Sequence, residues 1–447
     1  MPKVLQYCGG LAALINEDFV TILSISTREL IERRARLLGP AYRLFYETPL
    51  HFTRGEGAWL IDESGRRYLD AYNNVACVGH SHPVVVEALA RQARVLNTHT
   101  RYLHTGILDY AERLLTTMAP ELSHAMFTCT GSEANDLALR IARAHTGGEG
   151  IIITNFAYHG VTASLAEASP SLGKYVKLGH TVRTVPAPDT LRVAPEQLGQ
   201  YFADGVDKAI GNLRANGIKP AALLVDTVFS SDGVFTNPPG FLAQAVEVIR
   251  RAGGVFIADE VQAGLGRTGD SLWGFARHQL LPDIVTMGKP LGNGHPLAGI
   301  AVKPDVLTAF GQQCRYFNTF GGNPVSMAVG MAVLDVLENE QLMANAKNVG
   351  DYLREKLTEL RARHTMIAAV RGAGLFIGVE LVSDLATLAP ATALAARVVN
   401  QMRDRQVLLG TSGEYANILK IRPPLVFSKE NADQLVQALD LVLANQS

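Results

Sequence analysis

Neither sign of charge dominates the 447 residues: 41 Lys and Arg stand against 42 Asp and Glu, a formal net charge of −1. A protein that grips nucleic acid through its phosphates normally carries a basic excess, so this balance argues against nucleic acid as a partner. Cysteine is scarce. Cys8, Cys77, Cys129 and Cys314 are scattered without CxxC spacing, which argues against a disulfide framework or a zinc site and suits a reducing, cytoplasmic compartment. The apolar start, Val4 to Leu14, is interrupted by Gln6, Gly9 and Gly10 and soon meets Asn16, Glu17 and Asp18. It is too short to span a bilayer and lacks an obvious cleavage site, so a helix or ragged tail is expected there, with no membrane partner. Internal repeats, linkers and low-complexity runs are missing too. What remains is 47% hydrophobic and 19% charged, a globular composition with ample core. At roughly 150 residues per domain the length suggests about two to three domains, or one large domain with a satellite. An enzyme is the default expectation.

Residues 27–42 read as an amphipathic helix rich in Arg, and residues 55–70 as a hairpin whose turn is Glu63-Ser64-Gly65. Beyond them short apolar strands, Ile151–Thr154, Ala221–Asp226, Val255–Asp259 and Ile284–Met287, alternate with helical patterns such as Ala134–Ala144 and Phe241–Ala252. That rhythm predicts an α/β fold, a mostly parallel sheet with helices on both faces. A long helical stretch from about Val325 leads to further strands near Leu375–Val379 and Leu419–Arg422. The expected division is a large α/β domain over 76–325 and a small α+β domain built from 1–75 and 326–447.

Ligands collect at the carboxyl ends of strands in such sheets, and four features fall there. Thr130-Gly131-Ser132-Glu133 places small residues at a helix start, where unpaired amides can hold a phosphate, although an ordinary capped helix begins the same way. Tyr158-His159-Gly160 follows a strand, and its aromatic ring can stack on a planar ligand or simply join the core. Asp259 ends a strongly apolar strand, where a buried carboxylate needs a positive partner. A protonated pyridine nitrogen would serve, and magnesium shared with Glu260 is the alternative. Lys289 lies 289 − 259 = 30 residues later, among small residues at another strand exit. Partial desolvation there lowers a lysine's pKa and favours a Schiff base, against the commoner fate of a surface lysine.

Phosphate cradle, stacking ring, pyridinium acid and Schiff-base lysine occur in that order on successive strand ends. Over nearly its whole length the chain resembles the class III, ornithine-aminotransferase-like enzymes that use pyridoxal 5'-phosphate, and within them the ethanolamine-phosphate phospholyase branch. The segments that carry the resemblance are 72–83, 130–139, 254–262, 282–296, 316–326 and 371–378. The resemblance implies the pyridoxal-phosphate type I fold, with Lys289 as the Schiff-base lysine and Asp259 against the pyridine nitrogen. It also implies Tyr158 and Val261 on the two ring faces, Gln262 at the ring hydroxyl, and Gly131 and Ser132 on the phosphate. Thr319 is implied to reach the neighbouring subunit's phosphate, which makes a homodimer with shared sites, open to further pairing into a tetramer. The Gly-His-Ser-His-Pro segment with His80 and His82 is structural in this family, so no metal is expected.

Many aminotransferases of this class bind a substrate carboxylate with an Arg three residues before a Pro-Pro pair, balanced by a Glu five residues after the preceding strand's acid. Here those positions hold Lys420 and, counting from Asp226, Ser231, with Asp232 next door. Lysine is a point charge and cannot replace the bidentate guanidinium, although strand alternation puts Arg422 on the same face. The expected activity is therefore elimination of phosphate from ethanolamine phosphate. The alternatives are an aminotransferase for an amine or ω-amino acid and a phosphohydroxylysine lyase. Arg101, Tyr102, Arg267, Lys420 and Arg422 are the candidates for the substrate end.

Overall fold

The computed structural model describes residues 27–446. The expectation for the apolar start therefore lies outside the described residues. The first helix runs over Thr27–Leu38 and stops before Gly39-Pro40, a pair that cannot continue a helix. Strands β1 (Phe52–Glu56), β2 (Trp59–Asp62) and β3 (Arg67–Asp70) form an antiparallel sheet. The predicted turn joins β2 and β3: the Asp62 carboxylate accepts from the amides of Ser64 and Arg66, both at 2.9 Å.

The large sheet comprises β4 (His124–Thr128), β5 (Gly150–Thr154), β6 (Val182–Val185), β7 (Pro220–Asp226), β8 (Val255–Asp259), β9 (Ile284–Met287) and β10 (Ala298–Val302), in the order β4-β10-β9-β8-β7-β5-β6. Strands β5 to β9 pair in parallel with one another, and β10 runs antiparallel to both of its neighbours, β9 and β4. The expected α/β architecture is thus present. Strands β5, β8 and β9 are buried at every position because both faces are covered, which is why they read as continuous apolar runs. Strands β4, β6 and β10 escape the sequence pattern. β6 is the edge strand, with half-buried Arg183 and Thr184, and β4 opens on exposed His124.

The remaining strands are β11 (Ile367–Ala373), β12 (Phe376–Asp384), β13 (Ala389–Pro390), β14 (Val407–Leu408), β15 (Gly410–Ser412) and β16 (Ile418–Ile421). They form the sheet β11-β12-β16-β15, with β13 on the edge of β12, while β14 joins β3 in parallel. The two distant parts of the chain thus share one sheet. Arg422, just past β16, donates its amide to Ala71 O at 2.7 Å, which ties this end to the residues after β3.

Register places the chemistry. Asp226 is level with Asp259, and Asp259 with Thr286, so three polar side chains form a row across the exits of β7, β8 and β9.

Candidate active site

A cleft of about 310 Å³ opens at those exits and is lined by Gly131, Ser132, Tyr158, Asp259, Val261, Gln262 and Lys289, among others. Its volume lies at the lower end of the range for small-molecule sites, about 300–1,000 Å³. Seven of the residues singled out in the sequence therefore meet in one place.

The helix Gly131–Thr146 points its start into the cleft, and its cap explains which amides stay free. Thr130 Oγ1 accepts from the Glu133 amide at 3.1 Å, and Glu133 Oε2 accepts from the amides of Cys129 and Thr130, both at 2.9 Å. Ala134 N–H donates to Thr130 O at 3.0 Å. The amides of Gly131 and Ser132 are left over, where the helix dipole adds positive potential. Only glycine fits at 131, because a Cβ there would stand 2.9 Å from a Val261 methyl.

Asp259 is 3% exposed and its carboxylate is held by three donors. Oδ2 accepts from Asn135 Nδ2 and His159 Nδ1, both at 2.8 Å, and Oδ1 from the Val261 amide at 3.1 Å. Asn135 is fixed in turn, since its Oδ1 accepts from Thr286 Oγ1 at 2.6 Å. Asn135 and Thr286 are site-builders that the sequence reading missed. The available signal was an Asn on the helix face otherwise formed by Ala138, Leu139 and Ala142, all buried.

Glu260, the next residue, points away from the cleft. It accepts from Thr227 Oγ1 at 2.6 Å and from the amides of Gly274 and Phe275 at 2.7 and 2.8 Å, and burial pushes its carboxyl up to about 7. Adjacent strand residues face opposite ways, so Asp259 and Glu260 do not form a magnesium pair. His80 and His82 are also engaged separately, with Asp70 at 2.7 Å and Glu340 at 2.9 Å.

Lys289 sits two residues past β9 with φ +29°, an uncommon conformation for a residue with a Cβ. Its Nζ lies 6.0 Å from the centre of the Tyr158 ring. Burial, followed by the neighbouring Arg422, lowers its amine to about 8, against the opposite pull of Asp259 and Asp226. The shift moves Lys289 toward the free base, the form that attacks carbonyl carbon.

The substrate-end candidates separate. Arg422 Nε donates to Tyr72 O at 3.1 Å and Nη1 to Gln262 Oε1 at 2.5 Å, with the guanidinium between the Tyr72 and Phe376 rings. Gln262 Oε1 also accepts from Asn74 Nδ2 at 3.2 Å. Lys420 is 8% exposed, and among the described residues it has neither a hydrogen bond nor an ion pair. Arg267 is a correction. It is buried, its Nη1 donates to the carbonyls of Leu375 and Pro423, and like Lys420 and Arg422 it does not itself line the cleft. Arg101 and Tyr102 lie on the exposed surface of the single chain, Arg101 stacked 3.9 Å from the Phe317 ring centre and Tyr102 against His99. Thr319 is exposed two residues beyond Phe317 and does not line the chain's own cleft.

Pyridoxal 5'-phosphate presents a phosphate, a flat ring and a basic ring nitrogen. The free amides, the Tyr158 and Val261 surfaces and the buried carboxylate match these three demands, and a part-neutral lysine suits its aldehyde. Fold and cleft together define a pyridoxal-phosphate enzyme. More narrowly, the chain belongs to the class-III aminotransferase family, whose model matches residues 45–443. Among solved structures it is similar to a phospholyase from Arthrobacter in complex with phosphoethanolamine, at 43% identity and TM-score 0.90, covering 93% of this chain and 99% of that one. It is 40% identical to the alanine–glyoxylate aminotransferase 2 homolog 2, mitochondrial, of Arabidopsis thaliana over 92% of this chain and 86% of that protein. It is also 36% identical to the ethanolamine-phosphate phospho-lyase homolog 1 of Caenorhabditis elegans over 94% of each. Among the described residues no helix is long and apolar enough to cross a membrane.

Proposed function

We propose that the chain is a lyase that removes phosphate from a small phosphorylated amine, ethanolamine phosphate, to give acetaldehyde, ammonia and inorganic phosphate. The observation that carries this reading is Lys420, a buried cation without a partner where a carboxylate-binding enzyme of this family would present Arg. Its would-be counterpart is absent as well. Position 231 is Ser, and the adjacent Asp232 is committed to Thr154 Oγ1 at 2.7 Å and the Phe156 amide at 3.1 Å. Ethanolamine phosphate has no carboxylate, so it needs no Arg–Glu switch. The likeness to the Arthrobacter phospholyase supports the same substrate class.

In this reading bound pyridoxal phosphate supplies an electron sink for the carbon that bears the substrate nitrogen. Gly131 and Ser132 hold its phosphate, Tyr158 and Val261 clasp its ring, and Gln262 meets its hydroxyl. Asp259 keeps positive charge on the ring nitrogen, as a carboxylate with three donors is well suited to do. Lys289, displaced by the substrate amine, takes the proton from the carbon next to nitrogen. Thr319 completes the phosphate site of a second copy, which makes the working unit a homodimer. A cytoplasmic location belongs to the same proposal.

The competing reading, an aminotransferase, is favoured by the name of the Arabidopsis relative. The test is to incubate the holoenzyme with ethanolamine phosphate and no oxo acid. Stoichiometric phosphate and acetaldehyde are expected, and a strict requirement for pyruvate or 2-oxoglutarate would overturn the lyase.

A further inference from the structure

Loss of phosphate from carbon raises a problem that deprotonation by Lys289 leaves open. When the carbon–oxygen bond breaks, its electron pair stays on the ester oxygen, and phosphate would depart as a trianion. That is a very poor leaving group unless the oxygen is protonated as the bond breaks. The donor has to be acidic near neutral pH, close to the cofactor cleft and free of other bonds.

Lys420 is the candidate: it does not itself line the cofactor cleft, but it lies two residues before Arg422, whose Nη1 donates to the cleft-lining Gln262, and near enough to Lys289 for the two charges to interact. It lies on β16 between Gly378 of β12 and Gly410 of β15, its partners in register, so neither neighbouring strand offers a side chain beside it. A Cβ on Gly410 would stand 2.8 Å from the Tyr72 ring and 2.9 Å from the Phe45 ring, so these aromatics wall the space over the glycine. The charged groups that act on Lys420 are Arg422 just past its own strand, Asp226 and Asp232 from the end of β7 and the loop after it, and Lys289. Arg422 is engaged through Nε with Tyr72 O and through Nη1 with Gln262, and Asp226 accepts from the Val228 and Ser230 amides at 3.1 and 3.0 Å. Among the described residues the Lys420 amine has neither a hydrogen bond nor an ion pair, a state it shares in this group only with Lys289, which is already assigned to proton abstraction.

We infer that Lys420 is the acid of the elimination, donating a proton from Nζ to the ester oxygen as phosphate leaves. This rests on the lyase reading above. The carbon–oxygen bond breaks with its electron pair on oxygen, the Lys420 proton caps that oxygen, and phosphate departs as the hydrogen-phosphate dianion. The pair that forms the new carbon–carbon double bond comes from the C–H bond whose proton Lys289 has taken. Burial and the nearby Arg422 bring the Lys420 amine down to about 7, so it can give up a proton near neutral pH. A buried Arg at the same place would bind phosphate equally well but would hold its protons.

The experiment compares ethanolamine phosphate with ethanolamine sulfate in the wild-type holoenzyme, Lys420→Met and Lys420→Arg. Sulfate leaves as a stable anion without a proton. Lys420→Met is expected to slow phosphate release by about 10²–10³-fold, the usual worth of a placed acid, and sulfate release by less than tenfold. Lys420→Arg should keep KM for the phosphate ester while kcat falls. In the wild type the alkaline fall in kcat should appear with the phosphate ester and be absent with the sulfate ester. Equal losses on both esters, or full phosphate turnover in Lys420→Arg, would overturn the assignment and leave Lys289 as the donor. A wild-type enzyme that releases neither anion defeats the lyase reading itself and removes this inference with it. Retention of the cofactor's absorbance in each variant separates these outcomes from misfolding.

Discussion

The cleft and the neighbouring end of β16 are built in opposite ways. At the exits of β8 and β9 the buried carboxylate is held from several sides: Asp259 has three donors, and Asn135 joins it to Thr286. On β16, Lys420 is buried as well, at 8% exposure, and bonds to nothing among the described residues. A satisfied network rigidifies and specifies one geometry, whereas an unpaired buried charge is costly and persists where a ligand will meet it. The first region is prebuilt for a resident group, and the second, in the proposed function, keeps a cation for the anion that leaves.

The contrast is most exposed at Asp259. Asp259→Asn keeps the shape and removes the charge, and losing one member of a buried charge pair costs about 3–5 kcal/mol. Turnover and pyridoxal-phosphate affinity, followed by activity and equilibrium dialysis, should fall on the order of 10²–10³-fold. An unchanged affinity would mean that Asp259 does not face the ring nitrogen.

Arg267 should fail in a different manner. Arg267→Met strands the carbonyls of Leu375 and Pro423, a loss on the order of 3 kcal/mol. The melting temperature should drop while KM for substrate stays the same. A selective rise in KM would return Arg267 to the substrate site.

The smallest effect has the opposite sign. Lys420→Met should stabilise the protein, by about 1 kcal/mol, the low end for replacing a buried charge with an apolar side chain. The pH dependence follows from the folded amine at about 7 against 10.5 for the unfolded chain. Between those values the unfolded state holds a proton that the folded state lacks. Wild-type stability therefore rises through this window with increasing pH, and the penalty for charged Lys420 is greatest below it. Melting curves should show a larger gain for Lys420→Met at pH 6 than at pH 9. A variant that melts earlier at both values would show that Lys420 is already paired and would erase the difference between the two regions.

Most of the cofactor end was legible in the sequence because each part is local. A small-residue helix start, an acid ending an apolar strand and a lysine after the next strand are each set within a few residues. Their convergence follows from parallel strands that deliver their ends to one edge. The reading stopped where contacts span the chain. Asn135 bonds Asp259 across 124 positions and Thr286 across 151, and nothing local marks either pairing. Arg267 has a motif that suggests an anion, yet it is consumed by carbonyls 108 and 156 positions away. β10 looks like any apolar strand, and its antiparallel direction depends on the connection that feeds it.

By itself, then, the sequence determined the fold class, the balance of charge without a basic field, and the residues that meet at the cleft, because period, strand ends and helix starts are short-range properties. Tertiary structure decided which of the cations are spent and which is free. Arg267, Arg422 and Lys420 look alike as basic residues in a chain of net charge −1. Only the packing of β16 between two glycine-bearing strands, with Gln262 and two carbonyls engaging the arginines, leaves the lysine uncommitted. A charge's availability depends on what surrounds it in space, and no short-range pattern encodes that.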